Sequence, residues 1–125
     1  MAYTYSMLHR NWRALTYAVQ GLKIAWKEEF NFQLELAGAA LIFFVGVIVG
    51  LSPLEWIIVI AMSGLVLTAE LFNTSLEELC DMLRTTRDPH VAKIKDLAAA
   101  AVFVSVIAAV LVGILVFTPY VRALL

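Results

Sequence analysis

Two stretches of this chain, Leu36 to Leu54 and Leu97 to Val121, hold no charged residue, and a third, Trp56 to Leu76, holds only Glu70. Each is close to the ~20 residues that a helix needs to cross ~30 Å of hydrocarbon. Inside lipid a segment must satisfy its own backbone hydrogen bonds, so stretches of this kind are helices. With 62% hydrophobic residues over 125 positions, the chain is too apolar and too short for anything but one membrane-embedded domain. The expected fold is an all-α membrane protein, one domain over residues 1–125, with a surface helix at about 6–28 and spans at about 33–51, 54–82 and 92–119. The first 30 residues carry several charges and two tryptophans, unlike a cleavable signal peptide, so direct insertion is expected. The single cysteine, Cys80, excludes an intramolecular disulfide, suits a reducing compartment and reads as a packing residue.

Charge placement predicts the topology. The link between spans one and two, Gly50 to Pro53, has no basic residue, whereas the link between spans two and three carries Arg84, Arg87, Lys93 and Lys95. Arg10, Arg13, Lys23 and Lys27 precede span one, and only Arg122 lies beyond span three. Basic loops stay in the cytoplasm, so the amino terminus is expected inside and the carboxyl terminus outside.

The segment before span one is amphipathic. Leu8, Trp12, Leu15, Val19, Leu22 and Trp26 fall within about 80° of helix surface at 100° per residue. Arg10, Tyr17, Gln20 and Lys27 lie elsewhere on the helix, the pattern of one lying in the headgroup layer. Small residues recur four apart at Gly46 and Gly50, and at Ala101, Ser105, Ala109 and Gly113. Such rows let helices approach closely, between subunits of a homo-oligomer or within one subunit.

The most informative segment ends span two. Glu70, Asn73, Glu77 and Asp81 fall on one face about 80° wide, and Glu78 falls outside it. An ionisable residue within a membrane helix costs about 2.5 to 3.5 kcal/mol, so the stripe calls for compensating cations. Counting from Pro53 at 1.5 Å per residue, Glu70 lies roughly 25 Å along the helix and Glu77 about 10 Å further, which brings the stripe out at the cytoplasmic interface. Glu28 and Glu29, and Lys95 with Asp96, reach the same level. Glu29 plus Glu77 would suit the magnesium of a Mg-nucleotide, which takes one or two protein carboxylates and completes its shell with water and phosphate. Salt bridges from the stripe to loop lysines would neutralise it equally well, and spacing leaves both open. The glycines form neither a phosphate loop nor a dinucleotide fingerprint, and there is no metalloprotease histidine pair. His9 and His90 lack metal-ligand spacing and read as interfacial polar residues.

At the stripe, Ala69-Glu70-Leu71-Phe72-Asn73-Thr74-Ser75-Leu76-Glu77, then Asp81, then Lys95-Asp96-Leu97-Ala98-Ala99-Ala100-Ala101-Val102, closely resembles the prokaryotic diacylglycerol kinase and undecaprenol kinase family. The likeness extends through Arg10, Tyr17, Gly21, Glu29, Phe32 and Glu35 and covers nearly the whole chain. It implies a homotrimeric lipid kinase of the bacterial inner membrane, with ATP as donor, Mg2+ as cofactor, no nucleic-acid partner, and active sites between subunits near the cytoplasmic face. By the same resemblance Glu70 would be the general base, with Asn73 supporting it. Glu29 and Glu77 would hold the metal. Arg10, Tyr17, Lys95 and Asp96, together with Glu29 and Glu77, would contact the nucleotide, and Asp81 would help to organise that site. Trp26, Phe32 and Glu35 would line the approach of the lipid to Glu70. The second cytoplasmic link departs from the family pattern, reading Thr86-Arg87-Asp88 with its histidine displaced to His90, so no nucleotide contact is carried over there.

Ala69-Glu70 with Asn73-Thr74, and Asn31-Phe32 after Glu29, look more like the undecaprenol branch, whereas Glu35 looks like the diacylglycerol branch. Undecaprenol is slightly favoured as acceptor. Two rival readings belong to other classes. A small proton-coupled transporter would relay protons through Glu70 and Glu77, yet a relay across the bilayer would find only Ser63, Ser105 and Glu55 as continuations. A non-enzymatic assembly factor would pair its acidic face with another protein and turn over no ATP.

Overall fold

The computed structural model describes residues 2–83 and 88–124, with side chains from residue 12 onward. Among the described residues the chain forms four helices: α1 (Ala2–Glu28), α2 (Phe30–Val49), α3 (Pro53–Met82) and α4 (Pro89–Leu124). The last three are long and apolar enough to cross a membrane. The protein is a multi-pass membrane protein, and there is no strand among the described residues.

Local chemistry explains each break. Between α1 and α2 only Glu29 leaves helical geometry, at φ −109° and ψ 107°. Its amide still donates to the Ala25 carbonyl (3.0 Å), completing the last turn of α1. Gln33 Nε2 reaches back to the Trp26 carbonyl (2.8 Å), satisfying an acceptor that the helix end leaves open. Between α2 and α3, Gly50 adopts the left-handed conformation (φ 74°) that glycine tolerates without a Cβ penalty. The amides of Gly50 and Leu51 both close on the Gly46 carbonyl at 3.1 Å. Ser52 then opens α3 through a capping box with Glu55, and Pro53 occupies the first helical turn, where its missing N–H removes no bond. Helix α4 extends past the expected 92–119 at both ends. Asp88 Oδ1 accepts from the His90 amide (2.8 Å) and caps its start, and the helix carries Pro119 inside it.

The bundle is polarised. At the turn end Leu51, Val59 and Val116 form a small apolar core, joined by Phe43, Trp56, Phe117 and Tyr120. Phe43 and Trp56 meet with ring centroids 5.9 Å apart at 57°, a tilted aromatic contact. At the α1 end the buried side chains on α3 include two polar ones, Glu70 and Asn73, besides the packed thiol of Cys80. Helix α3 packs mainly along α4 and less along α2, while α1 touches mainly α2.

Of the small-residue rows, Gly46 allows a close approach between α2 and α3 within the chain. A Cβ on Gly46 would stand 2.8 Å from Leu51 Cδ1 and 3.0 Å from the Trp56 ring, so this glycine seats Leu51 of the following turn and Trp56 of α3. Gly50 ends the helix, and nothing lies near Gly113 within 4 Å. Of the row on α4 only Ser105 is buried, and its hydroxyl donates to its own helix at the Val102 carbonyl (2.7 Å).

Candidate active site

The stripe on α3 becomes steadily more exposed along the helix. Glu70 is 2% exposed and Asn73 8%, Glu77 is half-buried and Asp81 is open. Steps of three and four residues rotate by about −60° and +40°, which keeps all four on one face while α3 runs from the interior to the bundle's α1 end.

The one-residue break before α2 brings a second set of groups to this face. Glu29 sits at the N-cap of α2, yet its carboxylate makes no capping bond, so it is free to turn to the site. Glu70 lies within electrostatic reach of both Glu29 and Glu77, and the Asn31 side chain approaches its carboxylate. Glu35, two turns into α2, also interacts with Glu70. From α4, Lys95 Nζ meets Asp81 Oδ1 at 2.6 Å, and its charge is also felt by Glu77. Groups from α2, α3 and α4 thus gather along the stripe, Glu29, Asn31 and Glu35 toward Glu70 and Lys95 at Asp81. The neutralisation by lysine that spacing left open is realised at Asp81, the most exposed member of the stripe.

Two buried acceptor atoms, Glu35 Oε2 and Asn73 Oδ1, have no hydrogen-bond partner among the described residues. Buried acceptors are nearly always satisfied in a complete site, so a hydrogen-bond donor from a bound molecule fits here. Glu35 also lines an apolar groove of about 820 Å³ between α2, α3 and α4, with Gly38 and Ile42, Val59 and Val66, and Val106 and Gly113 among its walls.

The described residues contain no cluster of three or more metal-ligating side chains, so a closed protein cage for a cation is not formed among them. The donor set still fits magnesium. Two hard carboxylates, Glu29 and Glu77, flank a third in Glu70, and magnesium needs no more from a protein when phosphate oxygens and water fill its remaining positions.

Phe32 is buried (4%), Trp26 is 53% exposed, and Asp96 is exposed beside Lys95. Tyr17 is 68% exposed and stands about 18 Å before Glu29 along α1 at 1.5 Å per residue. The side chains of Arg10 and His9, and the triplet positions Thr86 and Arg87, lie outside the described residues. Asn31 and Gln33 were not singled out as site residues from sequence. Asn31 entered the sequence reading only through the Asn31-Phe32 resemblance after Glu29, and a lone amide beside a carboxylate has no periodicity to mark it.

The profile of the family described as prokaryotic diacylglycerol kinase matches residues 16–117. An undecaprenol kinase of Bacillus subtilis (strain 168) is 32% identical over 112 residues, covering 90% of this chain and 91% of that protein. A diacylglycerol kinase of Helicobacter pylori (strain ATCC 700392 / 26695) is 34% identical over 98 residues, covering 78% and 77%. A diacylglycerol kinase of Escherichia coli (strain K12) is 25% identical over 99 residues, covering 79% and 81%. The matched region runs from α1 to the far end of α4 and contains every carboxylate of the cluster around Glu70, and the chain belongs to the prokaryotic diacylglycerol kinase family of membrane lipid kinases.

Proposed function

We propose that this protein transfers the γ-phosphoryl group of Mg-ATP to the hydroxyl of a membrane lipid alcohol, undecaprenol in slight preference to diacylglycerol, yielding the lipid phosphate. The observation that carries the reading is the buried carboxylate of Glu70, flanked by Glu29, Glu35 and Glu77 where a lipid-embedded bundle opens. Phosphoryl transfer asks a protein mainly for alignment, charge neutralisation and a group that takes the nucleophile's proton.

In this reading the Glu70 carboxylate accepts the proton of the lipid hydroxyl as its oxygen attacks the γ-phosphorus, and ADP leaves. Asn73, whose Oδ1 has no partner among the described residues, would support the carboxylate. Glu29 and Glu77 would hold the divalent cation, which when bound offsets phosphate charge. Lys95, tied to Asp81, brings a fixed positive charge to the phosphates, with Arg10, Tyr17 and Asp96 as further nucleotide contacts. Trp26 and Phe32 flank the entry of the lipid, and the groove below Glu35 accommodates hydrocarbon.

Undecaprenol is supported by the match to the Bacillus subtilis protein, which is covered almost end to end, while Glu35 argues for diacylglycerol. Eight of the nine basic residues fall on the side of the membrane that carries α1 and the α3–α4 link, which supports a cytoplasmic amino terminus and a site facing the cytoplasm of a bacterial inner membrane. The family resemblance carries the expectation of a homotrimer in which neighbouring subunits complete each site.

The test is transfer of labelled phosphate from Mg-ATP to undecaprenol and to diacylglycerol, offered separately in mixed micelles to the purified protein. Preference for undecaprenol is expected. A strong preference for diacylglycerol reverses the acceptor, and transfer to neither overturns the assignment.

A further inference from the structure

Helix α1 has three distinct sides, and the placement of Ala25 orients them. Ala25 is the one described α1 side chain that is buried, at 3% exposure, so its side of the helix faces the bundle. Ala14, Ala18 and Gly21 share that side, within about 60° at 100° per residue. Rotating about 100° from there reaches the apolar arc of Trp12, Leu15, Val19, Leu22 and Trp26, every member of which is more than 40% exposed. A further 100° reaches a basic flank, Arg13, Lys23 and Lys27, interleaved with the uncharged Thr16 and Gln20.

With the apolar arc in hydrocarbon, the basic flank sits at headgroup level and turns away from the bundle, toward the surrounding lipid. All three cations are exposed, none forms an ion pair among the described residues, and no acidic residue precedes Glu28. A neutral bilayer gives such a flank no counter-charge, whereas an anionic leaflet does.

We propose that the Arg13–Lys23–Lys27 flank of α1 binds the anionic headgroups of the leaflet in which α1 lies and selects them over zwitterionic ones. The inference does not depend on the lipid-kinase reading, and its test does not measure turnover.

The full chain is reconstituted in phosphatidylcholine bilayers at low salt, and its tryptophan fluorescence is quenched with phosphatidylglycerol or phosphatidylcholine brominated in the acyl chains. Trp12 and Trp26 lie on the apolar arc beside the flank. A Trp12→Phe/Trp26→Phe protein supplies the contribution of Trp56 at the opposite end. The expected result is that phosphatidylglycerol is preferred around α1 by at least about fivefold, the contribution of one basic residue near an anionic surface. The preference collapses in about 1 M salt, where the screening length falls to about 3 Å. It also disappears in R13Q/K23Q/K27Q and persists in the charge-preserving R13K/K23R/K27R. Equal quenching by both lipids in the parent protein, or a preference that survives neutralisation, overturns the proposal. Absence of quenching of Trp12 and Trp26 by either lipid means that protein covers the arc, and overturns it as well.

Discussion

Glu70 is the residue on which the candidate chemistry turns, because it is nearly inaccessible and yet surrounded by groups of its own charge. Glu29 at the break before α2, Glu35 on α2 and Glu77 on α3 each act on Glu70, an arrangement of like charges that a cation and a hydroxyl donor would relieve. Replacing Glu70 by Gln preserves size but removes basicity. Phosphate transfer should fall by about 10²- to 10⁴-fold, the usual worth of a general base, while Mg-nucleotide binding measured by fluorescence titration is largely retained. Turnover close to that of the parent protein would reject Glu70 as the proton acceptor. Glu77→Gln should act differently, raising the magnesium concentration needed for half-maximal nucleotide binding. An unchanged requirement would place the cation on other ligands.

At the scale of single elements, the turn between α2 and α3 is the most heavily specified part of the chain. Gly46 is hemmed in by Leu51 and by the rigid Trp56 ring, so Gly46→Ala must displace an aromatic side chain from a packed contact. We expect a loss of about 1 to 3 kcal/mol, as for other overpacked sites, read as a lower midpoint in denaturant titration of the protein in micelles. Wild-type stability for this variant would mean that the Trp56 ring moves freely. The same turn is tied to the far end of α4, because Glu55 Oε2 accepts both from the Ser52 amide (2.7 Å) and from the Tyr120 hydroxyl (2.6 Å). Tyr120→Phe should therefore cost about 1 kcal/mol of stability, the worth of a typical hydrogen bond or somewhat more for a charged acceptor. Phosphate transfer should be unaffected, since the clasp lies at the end of the bundle opposite Glu70. A loss of transfer without a loss of stability would show that the two ends communicate.

The whole chain is an open arrangement rather than a closed bundle. Most of its large apolar side chains are exposed, which lipid tolerates and water does not, and α1 is held mainly through α2. If neighbouring subunits complete each site, two inactive variants should rescue one another. Mixing Glu70→Gln protein with Arg10→Ala protein, unfolding both and reassembling them together, should restore part of the transfer activity, whereas each alone stays inactive. No rescue on mixing would place Arg10 and Glu70 of the same chain in one site.

Much of this architecture was legible from local pattern. Three long stretches with at most one charge each determined three spans, because unpaired charge and unpaired backbone are both costly in hydrocarbon. Gly50, Ser52 and Pro53 marked the turn, because left-handed backbone, helix capping and a missing amide are properties of individual residues. The stripe from Glu70 to Asp81 followed from helical period alone. Convergence was another matter. That Glu29 and Glu35 come to Glu70, that Asn31 approaches it, and that Lys95 chooses Asp81 depend on which helix faces meet and on the one-residue break at Glu29. Those are contacts between residues far apart in the chain or across a bend, and periodicity within a helix carries no information about its rotation against a neighbour. The sequence by itself determined which groups would reach one end of the membrane, and only the tertiary structure decided which of them stand together.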